Sequence, residues 1–247
     1  MQQHILWHHP HTNVATLDPD ARSAEPLLVF HTYSDRDGKA PVHWATRFQE
    51  WITHAVLAFY GPSVVYNPYI LSLRHNDNVP ASVAAGAFMR RQRPFALAMR
   101  SFYILRIVLL PWWIGGMPLY VSVFVVNVVV GVLLTFVFVV SHNFEGTERD
   151  PHKTDCWYKA QVETSCSYGG FLAMLLTGGL NFQIEHHIFP RLSSWHYPGL
   201  RGAVWDCCKR HGVKYTYYPS LWSNVKSMLK YMRSAGLMAV LQHAHEE

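Results

Sequence analysis

The chain has 247 residues, half of them hydrophobic and only 15% charged, where a soluble domain carries roughly 25% charged residues. Its net charge of +5 comes from basic residues scattered among apolar stretches, which argues against a nucleic-acid interface and fits contact with anionic lipid headgroups. Cys156, Cys166, Cys207 and Cys208 form no CxxC pair and no zinc-ligand spacing, so no disulfide framework is expected and the chain suits a reducing compartment.

Residues 1–43 are polar, with Pro10, Pro19, Pro26, Pro41 and a turn-like Asp35-Arg36-Asp37-Gly38 segment. No apolar stretch opens the chain, so no signal peptide is expected in these residues. His4 and His8 are four residues apart and share a helix face; His9 points about 100° further round. A chain that opens inside a histidine cluster is expected to be incomplete at its N-terminus. Residues 44–73 are moderately apolar and contain Pro62 and Pro68, and residues 74–101 are polar and arginine-rich.

Residues 102–141 carry one charge, Arg106. A spanning helix needs roughly 20 residues, so this run is read as two spans, about 102–114 and 119–141, broken at Gly115-Gly116-Met117-Pro118. The positive-inside rule puts 74–101 in the cytoplasm, and a hairpin returns the chain to that side at His142. If 44–73 also crossed, the two histidine clusters would lie on opposite faces. That segment is therefore read as interfacial or re-entrant. Residues 168–182 are apolar and glycine-rich and are expected to dip into the interface; 190–247 read as a partly helical cap. The expected fold is all-α integral membrane: a transmembrane helical hairpin with a cytoplasmic histidine-rich helical cap.

Three groups of residues point to chemistry. They are His4, His8 and His9; His142 at the end of the second span; and Gln183, His186 and His187. Ionisable groups beside membrane segments are functional candidates by default, and imidazole is a good transition-metal ligand. Six histidines exceed one zinc site and suit a two-metal site. A neutral imidazole shell with few carboxylates fits iron handling dioxygen. The other ten histidines, including His11, His31, His75 and His152, are read as surface or hydrogen-bonded residues.

The segments His4-Ile-Leu-Trp-His8-His9-Pro-His-Thr-Asn13, followed by Asp18-Pro19-Asp20, and Gln183-Ile-Glu-His186-His187-Ile-Phe-Pro190 resemble the second and third histidine boxes of membrane fatty acyl desaturases. Gln183 in place of the usual histidine resembles the front-end subgroup. So do Ser141-His142-Asn143-Phe144-Glu145-Gly146 and the stretch from Val162 to Asn181. The resemblance is greatest to Δ5 and Δ4 polyunsaturated enzymes and covers nearly the whole chain, read as a desaturase domain over 1–247. It implies that His4, His8, His9, His142, His186 and His187 are iron ligands, with Gln183 a ligand or a neighbour of one. Asn181 and Glu185 would orient their neighbours.

The implied reaction inserts a cis double bond near the carboxyl end of a fatty acyl-CoA or phospholipid acyl chain at a diiron centre. Four electrons reduce dioxygen to water, two from the substrate and two from cytochrome b5 and its reductase. The implied location is a multi-pass membrane protein of the endoplasmic reticulum, with the boxes on the cytoplasmic side.

Two departures from the pattern matter. The chain carries no first box of the HxxxH type and no HPGG haem motif of a cytochrome b5 domain. Residues 1–247 alone are therefore expected to have little or no desaturase activity. The alternatives are a non-catalytic membrane subunit that retains the boxes and another diiron lipid enzyme, a hydroxylase or sphingolipid desaturase.

Overall fold

The computed structural model describes residues 4, 8–14, 17–18, 20–21, 25, 27–30, 42–56, 83–122, 127–147 and 156–244. Within its helices the side chains of 83–90, 92–93, 127, 130, 134–135 and 243 lie outside that description. The chain divides into two units, residues 54–136 and residues 1–53 with 137–247.

In the first unit, helix α1 (Val83–Ile104) widens into a π turn at Leu105–Leu109 and continues as α2 (Leu110–Gly115). Pro111 at the start of α2 accounts for the widening: a proline ring clashes with the preceding turn of an unbroken α ladder but is accepted at a helix start. The stretch Pro94–Gly115 is 22 residues long and almost none of it is buried. At 1.5 Å per residue it is about 33 Å long, enough for the roughly 30 Å hydrocarbon core. Among the described residues it is the one helix long and apolar enough to cross a membrane.

The expected span from 102 to 114 is thus the second half of a longer helix. The described part of the arginine-rich stretch before it, from Val83, is helical; residues 74–82 lie outside the described residues. Gly116 adopts φ 61°, a left-handed cap, and its N–H bonds Pro111 O. Residues 119–122 are helical again, and α3 (Asn127–His142) follows, with its apolar part at Gly131–His142. Residues 123–126 and 57–73, parts of the expected second span and of the expected interfacial segment, lie outside the described residues.

The second unit carries α4 (Trp157–Glu163), β1 (Cys166–Tyr168), α5 (Phe171–Thr177), α6 (Gln183–Ile188), α7 (Tyr197–Arg210), β2 (Thr216–Tyr218) and α8 (Leu221–Ala244). The parallel pair β1–β2, in register from Cys166↔Thr216 to Tyr168↔Tyr218, amends the all-α expectation. Thr216-Tyr217-Tyr218 is a run of good strand formers, and the intervening helices supply the long crossover a parallel pair requires. An isolated bridge from Ser167 to Phe182 seats the start of α6 beside β1. Two apolar clusters then clamp α6: Val162, Ile184 and Cys208 on one side, and Met174, Phe182 and Tyr197 on the other.

Helix α8 buries Met228, Met232, Ala235 and Ala239, the spacing of one helical stripe. A 3-10 turn at Trp44–Phe48, continuing helically to residue 56, packs on α8. Buried Gln49 ties it there: Nε2 donates to Val29 O (3.0 Å) and Met232 O (2.6 Å), and Oε1 accepts from Val29 N (2.9 Å). Trp44, Phe48 and Trp51 stay exposed.

A Cβ added at Gly236 would lie 2.3 Å from Thr46 O. Glycine to alanine inside a helix normally stabilises by about 1 kcal/mol. At Gly236 the sign should reverse: Gly236→Ala should destabilise by about 1–3 kcal/mol, read as a lower unfolding midpoint in detergent.

Candidate metal centre

All six candidate histidines converge in the second unit. His8, His142 and His187 bring ring nitrogens within 4.8 Å of one another, and so do His4, His9 and His186. His4, His8 and Asp20 form an overlapping third group. The two triads adjoin, with the His9 and His187 rings stacked at 4.3 Å and those of His4 and His8 at 4.7 Å.

Five of the rings are held through Nδ1, each by an acceptor. His8 Nδ1 donates to Asp18 Oδ2 (2.9 Å) and His4 Nδ1 to Asp20 Oδ2 (3.0 Å). His142 Nδ1 donates to Thr164 O (3.1 Å) and His187 Nδ1 to Gln161 Oε1 (2.9 Å). His186 Nδ1 faces the Tyr197 hydroxyl at 3.4 Å, and that hydroxyl itself donates to Leu192 O (3.1 Å). These acceptors assign the tautomer: the proton sits on Nδ1, and Nε2 keeps its lone pair for a ligand.

The segments that carry the rings are fastened by Asn13, the one non-glycine among the described residues with positive φ (62°), a conformation asparagine tolerates. Its backbone N–H bonds Asp18 Oδ2 (2.8 Å). Its side-chain amide donates to His142 O (3.1 Å) and Thr164 O (3.1 Å). Thr12 Oγ1 donates to His8 O (2.9 Å) and lies 3.2 Å from His187 Nδ1. The N-terminal segment, the end of α3 and the loop after α4 thus meet at two adjacent side chains.

Burial disfavours the charged form of His9, His142, His186 and His187. It holds His9 down at a pKa of about 3, with help from the neighbouring His186, and His186 down at about 4, with help from His4. His187 is pushed well below the ordinary histidine range by burial, then by His142. Ring nitrogens turned toward one another in this way are short of donors. His8 Nε2 and both ring nitrogens of His9 are buried without a hydrogen-bond partner, a state that costs about 1–3 kcal/mol for each group. Gln183 partly answers this. Its Nε2 donates to His142 Nε2 (3.0 Å) and His187 Nε2 (3.2 Å), while its Oε1 is buried without a partner. A cation here would meet the lone pairs of His8 Nε2, one His9 nitrogen and Gln183 Oε1, so the donor set fits a metal.

The sequence model of the fatty acid desaturase family matches residues 1–219. The chain belongs to the fatty acid desaturase family. Among curated relatives it is 32% identical to the acyl-lipid (7-3)-desaturase of Rebecca salina, over 96% of this chain and 53% of that protein. It is 31% identical to the chloroplastic acyl-lipid (7-3)-desaturase of Chlamydomonas reinhardtii, over 94% and 46%. It is 24% identical to a probable Delta(5) fatty acid desaturase C of Dictyostelium discoideum, over 95% and 52%. The chain spans about half the length of these relatives. No solved structure matches it.

In this desaturase-family chain the seven residues singled out from the sequence lie together: His4, His8, His9, His142, Gln183, His186 and His187. Asn181 and Glu185 do not hydrogen-bond them. Asn181 donates to Tyr168 O (2.9 Å), and Glu185 accepts from Ser167 Oγ (3.1 Å) and Tyr215 OH (2.6 Å), so both brace β1 and the cap. The residues that do hold the rings, Asp18, Asp20, Gln161, Thr164 and Tyr197, were not singled out. Asp18 and Asp20 had a visible signal in their position just after the first cluster. Gln161, Thr164 and Tyr197 had none, because their spacing from the rings is set by tertiary packing.

Removing a carboxylate that orients a ligating histidine typically costs 10–100-fold in metal affinity. Asp18→Asn should lower metal affinity by about that factor while retaining the fold, measured by competition with a chelator. The exposed control His196→Ala should leave affinity unchanged.

Proposed function

We propose that the chain carries the diiron centre of a front-end acyl desaturase, an enzyme that inserts a cis double bond near the carboxyl end of a polyunsaturated acyl chain. The carrying observation is the pair of adjoining histidine triads, with five of the six rings anchored through Nδ1. His4, His9 and His186 would hold one iron, and His8, His142 and His187 the other. Gln183 stands beside the second triad, where a turn of its amide would present Oε1 in place of Nε2. Iron held by these residues would supply dioxygen activation for removing two hydrogens from adjacent acyl carbons, with electrons from cytochrome b5.

The chain's own residues supply order and dryness. Asp18, Gln161 and Thr164 fix three rings in one orientation, so little reorganisation is left for the reaction. Burial of His8, His9, His142, Gln183 and His187 excludes bulk water from the site. Burial disfavours a proton on His9, His142, His186 and His187 that a cation would have to displace. The hydrophobic helix Pro94–Gly115 and the apolar part of α3 are read as the membrane hairpin, with the histidines on the cytoplasmic face of the endoplasmic reticulum. The curated relatives named acyl-lipid desaturases support an acyl-lipid substrate.

Residues 1–247 by themselves should give little or no product, whereas the full product of the native transcript, in a host that supplies cytochrome b5 and polyunsaturated precursors, should add a Δ5 or Δ4 cis bond to the host's acyl lipids. His187→Ala should reduce that product by at least about 100-fold. Gas chromatography with mass spectrometry reads both results. A hydroxylated product, or a product insensitive to His187→Ala, would contradict the reading.

A further inference from the structure

A cavity of about 380 Å3 opens beside the start of α5 and the first turns of α7, lined by Gly170, Phe171, Phe182, Pro198, Arg201 and Gly202. Its size falls within the usual range for small-molecule sites. Arg201 is its charged member. The guanidinium lies 4.1 Å from the Tyr217 ring centroid and 5.9 Å from that of Trp205, a cation–π platform that holds it in place. Among the described residues no carboxylate is within ion-pair distance of it. Glu185, the acid whose field reaches it, is engaged by Ser167 and Tyr215. Arg201 is thus a fixed, unpaired cation at the wall of an otherwise apolar cavity, and guanidinium is the group that recognises phosphate best.

The surroundings name the rest of the ligand. Helix α5 turns Phe171, Leu172, Leu175 and Leu176 to the outside, between 52% and 79% exposed. Four large apolar side chains on one two-turn helix are a face for lipid tails rather than for water. The inner wall adjoins the metal centre: Phe182 precedes Gln183 and packs on Tyr197, whose hydroxyl meets His186 Nδ1.

We propose that this cavity receives the phosphate headgroup of a membrane phospholipid, with Arg201 on the phosphate and the α5 face in the acyl layer. The inference rests on the acyl-desaturase reading, because a bond made near the carboxyl end requires the headgroup to sit close to the histidines. It goes further in naming the cavity and the residue that hold the phosphate.

The test is equilibrium binding of radiolabelled dioleoylphosphatidylcholine, dioleoylglycerol and oleoyl-CoA to the purified chain in detergent micelles. It needs neither dioxygen nor reductant, so it can succeed or fail independently of turnover. Two variants are compared with the parent. Arg201→Gln removes the charge. Gly202→Leu fills the cavity from a position where an added Cβ meets nothing within 4 Å, inside a helix that gains from losing a glycine. An unchanged melting temperature confirms that Gly202→Leu is folded even if Arg201→Gln is not.

The expected result is that phosphatidylcholine binds and each folded variant weakens it by about tenfold or more, the loss of a charge-assisted contact. Dioleoylglycerol should bind weakly and equally to all three proteins. Unchanged phosphatidylcholine binding by Gly202→Leu would overturn the site. Oleoyl-CoA binding that depends on Arg201 and Gly202, without such dependence for phosphatidylcholine, would overturn the phospholipid as the source of the phosphate.

Discussion

Everything at the histidine centre depends on one kind of contact: an acceptor placed on Nδ1 of a buried imidazole. A buried ring can be neutral in two tautomers, and only one of them leaves Nε2 as a ligand. Asp18, Asp20, Gln161, Thr164 O and Tyr197 each select that tautomer. Without them the rings could satisfy one another by exchanging hydrogen bonds, and the lone pairs would be spent. With them, the lone pairs converge and only a donor or a cation can answer. The Gln183 amide, donating to two Nε2 atoms at once, shows how strongly the site calls for positive charge.

The fold serves that requirement through local irregularities. Asn13 accepts a left-handed backbone so that its amide can join α3 to the loop after α4. The short strands β1 and β2 are too small to form a sheet of consequence, yet they fix the end at which α6 begins, through the Ser167–Phe182 bridge. Helix α6 is only six residues long and would not persist alone. Two apolar clusters hold it, and it delivers Gln183, His186 and His187 to the centre from spacings of three and four. Glu185 sits on the opposite side of the same short helix and bonds Ser167 and Tyr215, which keeps α6 from turning about its axis.

Much of this was legible in the sequence because candidate metal ligands come in short local patterns. His4 with His8, and Gln183 with His186 and His187, are one-turn spacings that read as single faces. The charge-poor run overlaps the apolar helix Pro94–Gly115 and the apolar stretch Gly131–His142. That the long helix reaches back to Val83 was not legible: hydropathy alone is silent about an arginine-rich stretch, although arginine is a good helix former. The strand pair was hidden because three residues carry too little period-two pattern to distinguish from a loop. Gln161, Thr164 and Tyr197 were hidden for a different reason: nothing in a residue's own neighbourhood says which histidine will pack against it.

The most direct test of the two-triad centre is iron-edge X-ray absorption on the chain loaded with ferrous iron, together with the iron count per chain. The account predicts two irons per chain, a first shell dominated by imidazole nitrogen, and the outer-shell scattering of rigidly held rings. A single iron, or a shell of water and carboxylate oxygen with no imidazole scattering, would contradict it.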